Sequence, residues 1–203
     1  MIRARIASVV CLLILVPLLG AAATEAFSED FSESAEWFSD YWNSRGYIEL
    51  RQPNEGRVRF ACCPETPNHS IYEVDILISR FTDGLAGVLL MSSEPDGWDY
   101  GIFFDPDAQY VLYWISPNGD TWNPVRSGAA PGAKKGLNVV NHLRIECTEN
   151  NTSISFNGNR SFTANATVEV ERICLAAGNF EGETVVRFDN LHISSPAGGT
   201  MAD

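Results

Sequence analysis

Two carboxylates and a run of aromatic rings are the residues of this chain whose types and spacing could do chemistry. In Tyr72-Glu73-Val74-Asp75-Ile76-Leu77-Ile78, Glu73 and Asp75 stand two apart, so an extended strand carries both on one face. Retaining glycoside hydrolysis uses two carboxyls about 5 Å apart, one as nucleophile and one as acid/base. The plainer alternative is a half-exposed strand whose acidic side chains face water. Further along lie Trp98, Tyr100, Tyr110, Tyr113, Trp114 and Trp122. Flat aromatic faces stack on the apolar faces of sugar rings while neighbouring polar groups bind the hydroxyls. The same rings would otherwise fill a core, where large apolar residues usually go. Trp98 and Trp122, flanked by Asp96, Asp99, Asn118, Asp120 and Asn123, are expected in exposed turns. With Tyr100, Tyr113 and Trp114 they make up the predicted ligand-binding set. There is no G-x-S-x-G elbow, no P-loop and no dinucleotide fingerprint. His69, beside Asn68, reads as a solvated loop residue.

The elements that would position these groups are short and β-rich. No sustained helical period follows residue 26, and Gly, Pro, Asn and Asp clusters separate the apolar runs. Strands are expected at 47–50, 57–62, 71–79, 86–92, 100–104, 110–115, 141–148, 152–156, 173–177 and 184–194. Turns are expected at 105–108 (DPDA), 116–120 (SPNGD), 149–151 (ENN), 157–159 (NGN) and 180–183 (FEGE). The Asn157-Gly158 pair accepts positive φ and predicts a tight hairpin flanked by Phe156 and Arg160. The stretch 32–42 (SESAEWFSDYW) fits one helical turn or an irregular edge equally. Strands without βαβ alternation predict a two-sheet antiparallel β-sandwich, all-β in class. The last strand, VVRFDNLHI, lacks a clean alternation and is expected to be covered partly on both faces.

Arg3 and Arg5 precede an apolar run from Ile6 to Leu19, followed by GAAATEA. That is the form of a secretory signal, with a cut after Ala23 or Ala26. Residues 1–26 are thus expected to be a signal peptide, or an uncleaved anchor. Residues 27–194 form the sandwich, and 195–203 a flexible tail. The apolar run falls short of the ~20 residues a spanning helix needs. The whole chain carries a net charge of −12. Losing Arg3, Arg5 and Glu25 makes it more negative, which disfavours nucleic acid and membrane surfaces as partners. Four cysteines remain beyond the signal: Cys62, Cys63, Cys147 and Cys174. An exported chain with an even count predicts disulfides. Alternation in VRFACC and LRIEC suggests Cys62 with Cys147 across the core, leaving Cys63 with Cys174; buried free thiols are the alternative. Zinc is disfavoured, because no C-x2-C pair exists and His69, His142 and His192 are scattered. Asn68, Asn150, Asn151, Asn159 and Asn165 open N-x-[S/T] sequons, read as glycan sites or as polar loops.

EDFSESAEW, DGLAGVLL, DYGIFFDPDAQYVLYW, the turn holding Trp122, GLNVVNHLRIECTENNTSISFNGN and VVRFDNLHI occur in that order. Together they resemble the concanavalin A-like lectin/glucanase superfamily, nearest to its laminin-G-like and DUF1080-type jelly-roll modules. The resemblance spans residues 27–194 and implies a jelly roll. Glycosidases of that superfamily carry E-x-D-x-x-E on one strand, but Ile78 occupies the place of the third carboxylate. The expected branch is therefore non-catalytic, with no catalytic residue and no required cofactor. Relatives often hold a structural calcium between first and last strands, which implies Asp30 and Asp189 as oxygen ligands. A turn or capping role is the alternative for both. Ala108 stands where the family has a turn glycine, and Cys174 where a glycine precedes Leu175. The expected function is a secreted carbohydrate-binding or cell-surface adhesion module. A glycan-active hydrolase of the same fold, or an assembly subunit of the cell envelope, are the alternatives.

Overall fold

Hydrophobic alternation decides which side of each strand meets a second layer, and it builds two sheets here. The computed structural model describes residues 25–29, 42–43, 46–53, 56–63, 70–92, 97, 99–148, 151–164 and 169–195. The first sheet has eight strands, with seven in the order β12 (Asn159–Ala164), β11 (Thr152–Phe156), β10 (Val140–Cys147), β5 (Ile71–Arg80), β14 (Thr184–Ser194), β3 (Tyr47–Gln52) and β2 (Trp42–Asn43). The eighth, β1 (Glu25–Glu29), pairs with the far half of β14. The second sheet has six strands, ordered β4 (Arg57–Cys62), β13 (Val170–Glu181), β6 (Asp83–Ser92), β7 (Asp99–Phe104), β8 (Gln109–Ile115) and β9 (Trp122–Ala129). All pairings are antiparallel, and no helix occurs among the described residues. The all-β sandwich expected from the sequence is what forms.

The core lies between the sheets. Tyr72, Val74, Ile76 and Ile78 of β5 are buried, while Glu73, Asp75 and Leu77 between them are partly exposed. Val88, Leu90, Ile102, Phe104 and Leu112 face them from the six-stranded sheet. Phe104 meets Phe156 of the other sheet edge to face, ring centres 5.1 Å apart. Each such fully buried side chain contributes about 1.5–3 kcal/mol relative to exposure.

All ten expected strands form; β9, β12, β1 and β2 come in addition. β9 escapes the sequence pattern because it is a sheet edge carrying Pro124, with almost every residue exposed. Trp122, expected in a turn, is its first residue. Asn157 and Gly158 take φ of 49° and 79°, closing the hairpin so that Phe156 faces Asn159, not Arg160. The irregular alternation of the last strand also has a different cause from the expected one. Its pairing with β5 slips between Asp189 and His192, and Asn190 there has φ 52°. That bulge shifts the phase, so Val186 and Phe188 before it and Leu191 and Ile193 after it all enter the core.

The cysteine pairing is corrected outright. Cys62 and Cys174 are cross-strand partners on β4 and β13 and form the disulfide; neither Cys62–Cys147 nor Cys63–Cys174 exists. Cys62 does share a face with Val58 and Phe60, but that face points away from the core, with Phe60 47% exposed. Cys147 enters the core from the other sheet. Cys63 and Cys147 are buried free thiols, and burial pushes both up to about 11.

Of the expected features, Asp30, Asn68, His69, Asp96, Trp98, Asn150 and Asn165 lie outside the described residues. So do residues 1–24, 30–41 and 196–203.

Candidate functional site

Strand register sets the floor of a cleft on the outer face of the six-stranded sheet. One row of neighbours crosses five strands: Cys62, Cys174, Leu89, Gly101 and Tyr113. The next is Phe60, Ala176, Gly87, Phe103 and Val111. A third brings Asp99, Ile115 and Trp122 together. In the second row small Ala176 and Gly87 lie between Phe60 and Phe103, and in the first Gly101 lies between Leu89 and Tyr113, so the surface dips between two aromatic walls. Gly101 must be small: a Cβ there would lie 2.5 Å from the Phe103 ring. Phe103, fully buried, supports one wall. Trp122 stacks on it at 5.9 Å between ring centres, and Tyr113 meets it edge-on at 6.1 Å. Trp122 Nε1 donates to the Gly119 carbonyl at 3.1 Å, which holds the indole against the 116–120 turn. Phe60 and Phe180, 47% and 49% exposed, form the opposite wall.

The resulting cleft encloses about 560 Å³, within the size range of small-ligand sites. Its floor is a second apolar cluster, distinct from the core between the sheets, of Leu85, Leu89, Phe103, Ile115, Cys174 and Ala176. Met91 sits over the disulfide, its sulfur 3.2 Å from Cys174 Sγ. Charged side chains reach the lining at two places, Arg57 and Asp99. Asp99 Oδ1 accepts the Ser92 backbone N–H at 2.9 Å. Burial, seconded by Glu171 and opposed by that hydrogen bond, raises its carboxyl above the ordinary range. Burial likewise raises the Tyr113 phenol, helped by Asp83.

The predicted aromatic set divides between two faces. Tyr113 and Trp122 line the cleft. Tyr100 is 3% exposed and packs in the core between the sheets, edge-on to Trp114 at 5.6 Å, with burial pushing its phenol up to about 12. Trp114 is half-buried against that same core. Phe60, Phe180 and Met91 belong to the cleft and do not stand out in the sequence. Their signal is the alternation of β4, β13 and β6 taken with the opposite face outward.

Glu73 and Asp75 do share a wet face, on the outer side of the other sheet. Their cross-strand partners are Arg144 and His142. Arg144 donates to Glu73 at 2.8 Å, His142 Nδ1 lies 2.9 Å from Asp75 Oδ1, and Asn190 Nδ2 donates to Asp75 Oδ2 at 2.9 Å. Burial pushes the Glu73 carboxyl up, but Arg144 and His142 more than offset it and hold it below its ordinary value. Ile78 is buried, on the opposite face of the strand. Asp189 neighbours Asp75 across β5 and β14. Among the described residues no group of three or more His, Cys, Asp or Glu side chains could hold a metal ion. Of the two implied calcium ligands, Asp189 lies on this face beside Asp75 and Asp30 lies outside the described residues.

No family model matches the chain, and no curated protein matches it. Solved structures do. The carbohydrate-binding module CBM66 from Bacillus subtilis superposes with a TM-score of 0.53 at 16% identity, over 71% of this chain and 86% of its own. A β-glucanase from Bacillus licheniformis gives 0.61 at 10% identity, over 83% and 97%. A β-1,3-1,4-glucanase derived from a mouse hindgut metagenome gives 0.62 at 9%, over 85% and 99%. With its two antiparallel sheets and these neighbours, the chain has a jelly-roll sandwich fold.

Proposed function

We propose that this chain is a non-catalytic carbohydrate-binding module whose ligand lies along the cleft of the six-stranded sheet. The observation that carries this reading is the pair of aromatic walls, Tyr113 with Trp122 and Phe60 with Phe180, facing across a shallow floor. Such walls stack on sugar rings. Structural neighbours include a carbohydrate-binding module and glycan hydrolases, so a glycan is the ligand class the fold most readily serves. Against catalysis stands the lining, in which Asp99 is the one carboxylate among the described residues. Glycoside hydrolysis uses two carboxyls flanking the bond, and Glu73 and Asp75 sit on the other sheet, engaged with Arg144, His142 and Asn190. The reading also takes the chain to be exported. The basic and apolar start has signal form, and a disulfide such as Cys62–Cys174 persists in oxidising compartments. A glycan array read for both retention and release of reducing ends tests it. Retention without release is the expected result. Release of reducing ends, abolished by Asp99→Asn or Glu73→Gln, would replace the module with a hydrolase.

A further inference from the structure

The cleft is unusually poor in hydrogen-bonding side chains for a surface that binds sugar. Its described polar groups are Arg57 toward one end, Asp99 toward the other, the Tyr113 hydroxyl and an indole N–H already donated to Gly119. An unsubstituted glucan presents hydroxyls all round each ring. Pressing these onto Leu85, Leu89, Met91 and Ile115 would strip their water without replacing it, at about 1–3 kcal/mol for each unpaired group. A ligand suited to this floor must bring apolar substituents of its own.

The end near Trp122 makes a narrower demand. Asp99 and Ile115 are register neighbours, and Ile115 neighbours Trp122 in turn. Ser92, whose N–H binds Asp99, directly follows Met91. Met91, Asp99, Ile115 and Trp122 thus sit on four successive strands, each about 4.8 Å from the next. A carboxylate is acceptor-only and can take several donors, so a ligand there gains by presenting an N–H beside a methyl. A 2-acetamido group does this: the amide N–H reaches Asp99, the methyl lies on the partly exposed Met91, and the sugar ring stacks on Trp122.

We infer that the cleft selects glycans carrying a 2-acetamido sugar over the same glycans without it. This rests on the glycan-binding reading above and names its ligand class. The test is calorimetric titration of the intact protein with two pairs of probes that differ only at that substituent. These are chitotriose against cellotriose, and N-acetylgalactosamine against galactose. At least tenfold tighter binding of the acetamido member of either pair is expected. Asp99→Asn should remove three- to tenfold of it, because a neutral acceptor replaces a charged one. Equal binding of both members would overturn the acetamido selection and leave glycan binding intact. The selection is overturned in the same way if neither pair binds but another glycan from an array is retained and lost on Trp122→Ala. If no glycan binds at all, the selection and the glycan reading fall together.

Discussion

The two outer faces of this sandwich are built from opposite materials. On the eight-stranded sheet the wet face is a lattice of ion pairs and hydrogen bonds: Glu73 with Arg144, Asp75 with His142, and Glu49 with Arg187 at 2.9 Å. Arg187 also lies over the Tyr47 ring at 4.8 Å. Each of these three carboxylates has an arginine or histidine as its cross-strand partner. On the six-stranded sheet the outer face is an apolar cluster with its own buried centre, Phe103, beneath the partly exposed side chains of Met91, Tyr113 and Trp122. Acidic residues at a suggestive spacing and a surface that asks for a ligand are thus on opposite sides of the molecule. Carboxylate spacing locates a strand face, and the cover over that face decides whether it can bind anything.

This contrast can be broken at several points, the largest effect coming from the apolar side. Phe103→Ala removes the support under Trp122 and Tyr113 and leaves a cavity. It should cost about 3–5 kcal/mol in denaturant unfolding, where a loss under 1 kcal/mol would show that the outer cluster is not packed. Replacing Cys62 and Cys174 together by Ser should cost about 2–4 kcal/mol, since the bridge closes a span of 112 residues. Thiol titration of denatured, unreduced protein lacking residues 1–26 should then find two thiols in the parent, Cys63 and Cys147, and the same two in the variant. A third or fourth thiol in the parent would mean that the bridge does not form. Neither parent thiol should react in the folded state, because both are buried with pKa values near 11.

The charged face should respond weakly. Glu73→Gln breaks a partly exposed ion pair, for which about 0.2–1 kcal/mol is expected. Its pH dependence has a definite sign. The folded-state carboxyl is held below its ordinary value, so the stability it adds is present above the unfolded pKa of about 4.3 and is lost as pH falls below that. The deficit of the variant should therefore shrink from pH 7 to pH 3, and a deficit that grows on acidification would contradict the assignment. Smallest is Ala108→Gly. Ala108 has φ 59° in the 105–108 turn, a conformation that costs a non-glycine residue roughly 1–2 kcal/mol. Part of the relief is offset by the added freedom of glycine in the unfolded chain. A net gain of about 0.5 kcal/mol in chemical denaturation is expected, and a loss would mean the turn accepts alanine without strain.

Fold class and most of the strands are legible because their residues are repetitive. β5 and β10 alternate cleanly, Asn157-Gly158 allows few turns, and the ordered segments match a known jelly roll. What the sequence hides shares one cause. Alternation tells which residues lie on the same face of a strand, but not which face is inward, and in the six-stranded sheet both faces are apolar. Alternation alone therefore aims Cys62 at the core and gives it Cys147, when its register neighbour is Cys174. It offers no reason to separate Tyr100 and Trp114 from Tyr113 and Trp122, although consecutive residues of one strand must part. Phe60 and Phe180 stay hidden, because an exposed phenylalanine looks like core until its neighbours are known. The phase change in β14 shows only as irregularity, and the bulge at Asn190 accounts for it.

If ligand meets the six-stranded sheet at its aromatic walls, the carboxylate face should be untouched by binding. The most direct measurement is retention on an immobilised glycan, first identified by array, for Trp122→Ala and Phe60→Ala beside Glu73→Gln and Asp75→Asn. Each wall substitution should weaken binding by about 1–3 kcal/mol, the range of a lost aromatic anchor. The two carboxylate substitutions should leave binding within about 0.5 kcal/mol of the parent. Retention that survives both wall changes and disappears with Glu73 or Asp75 would put the site on the other sheet and contradict the proposed cleft.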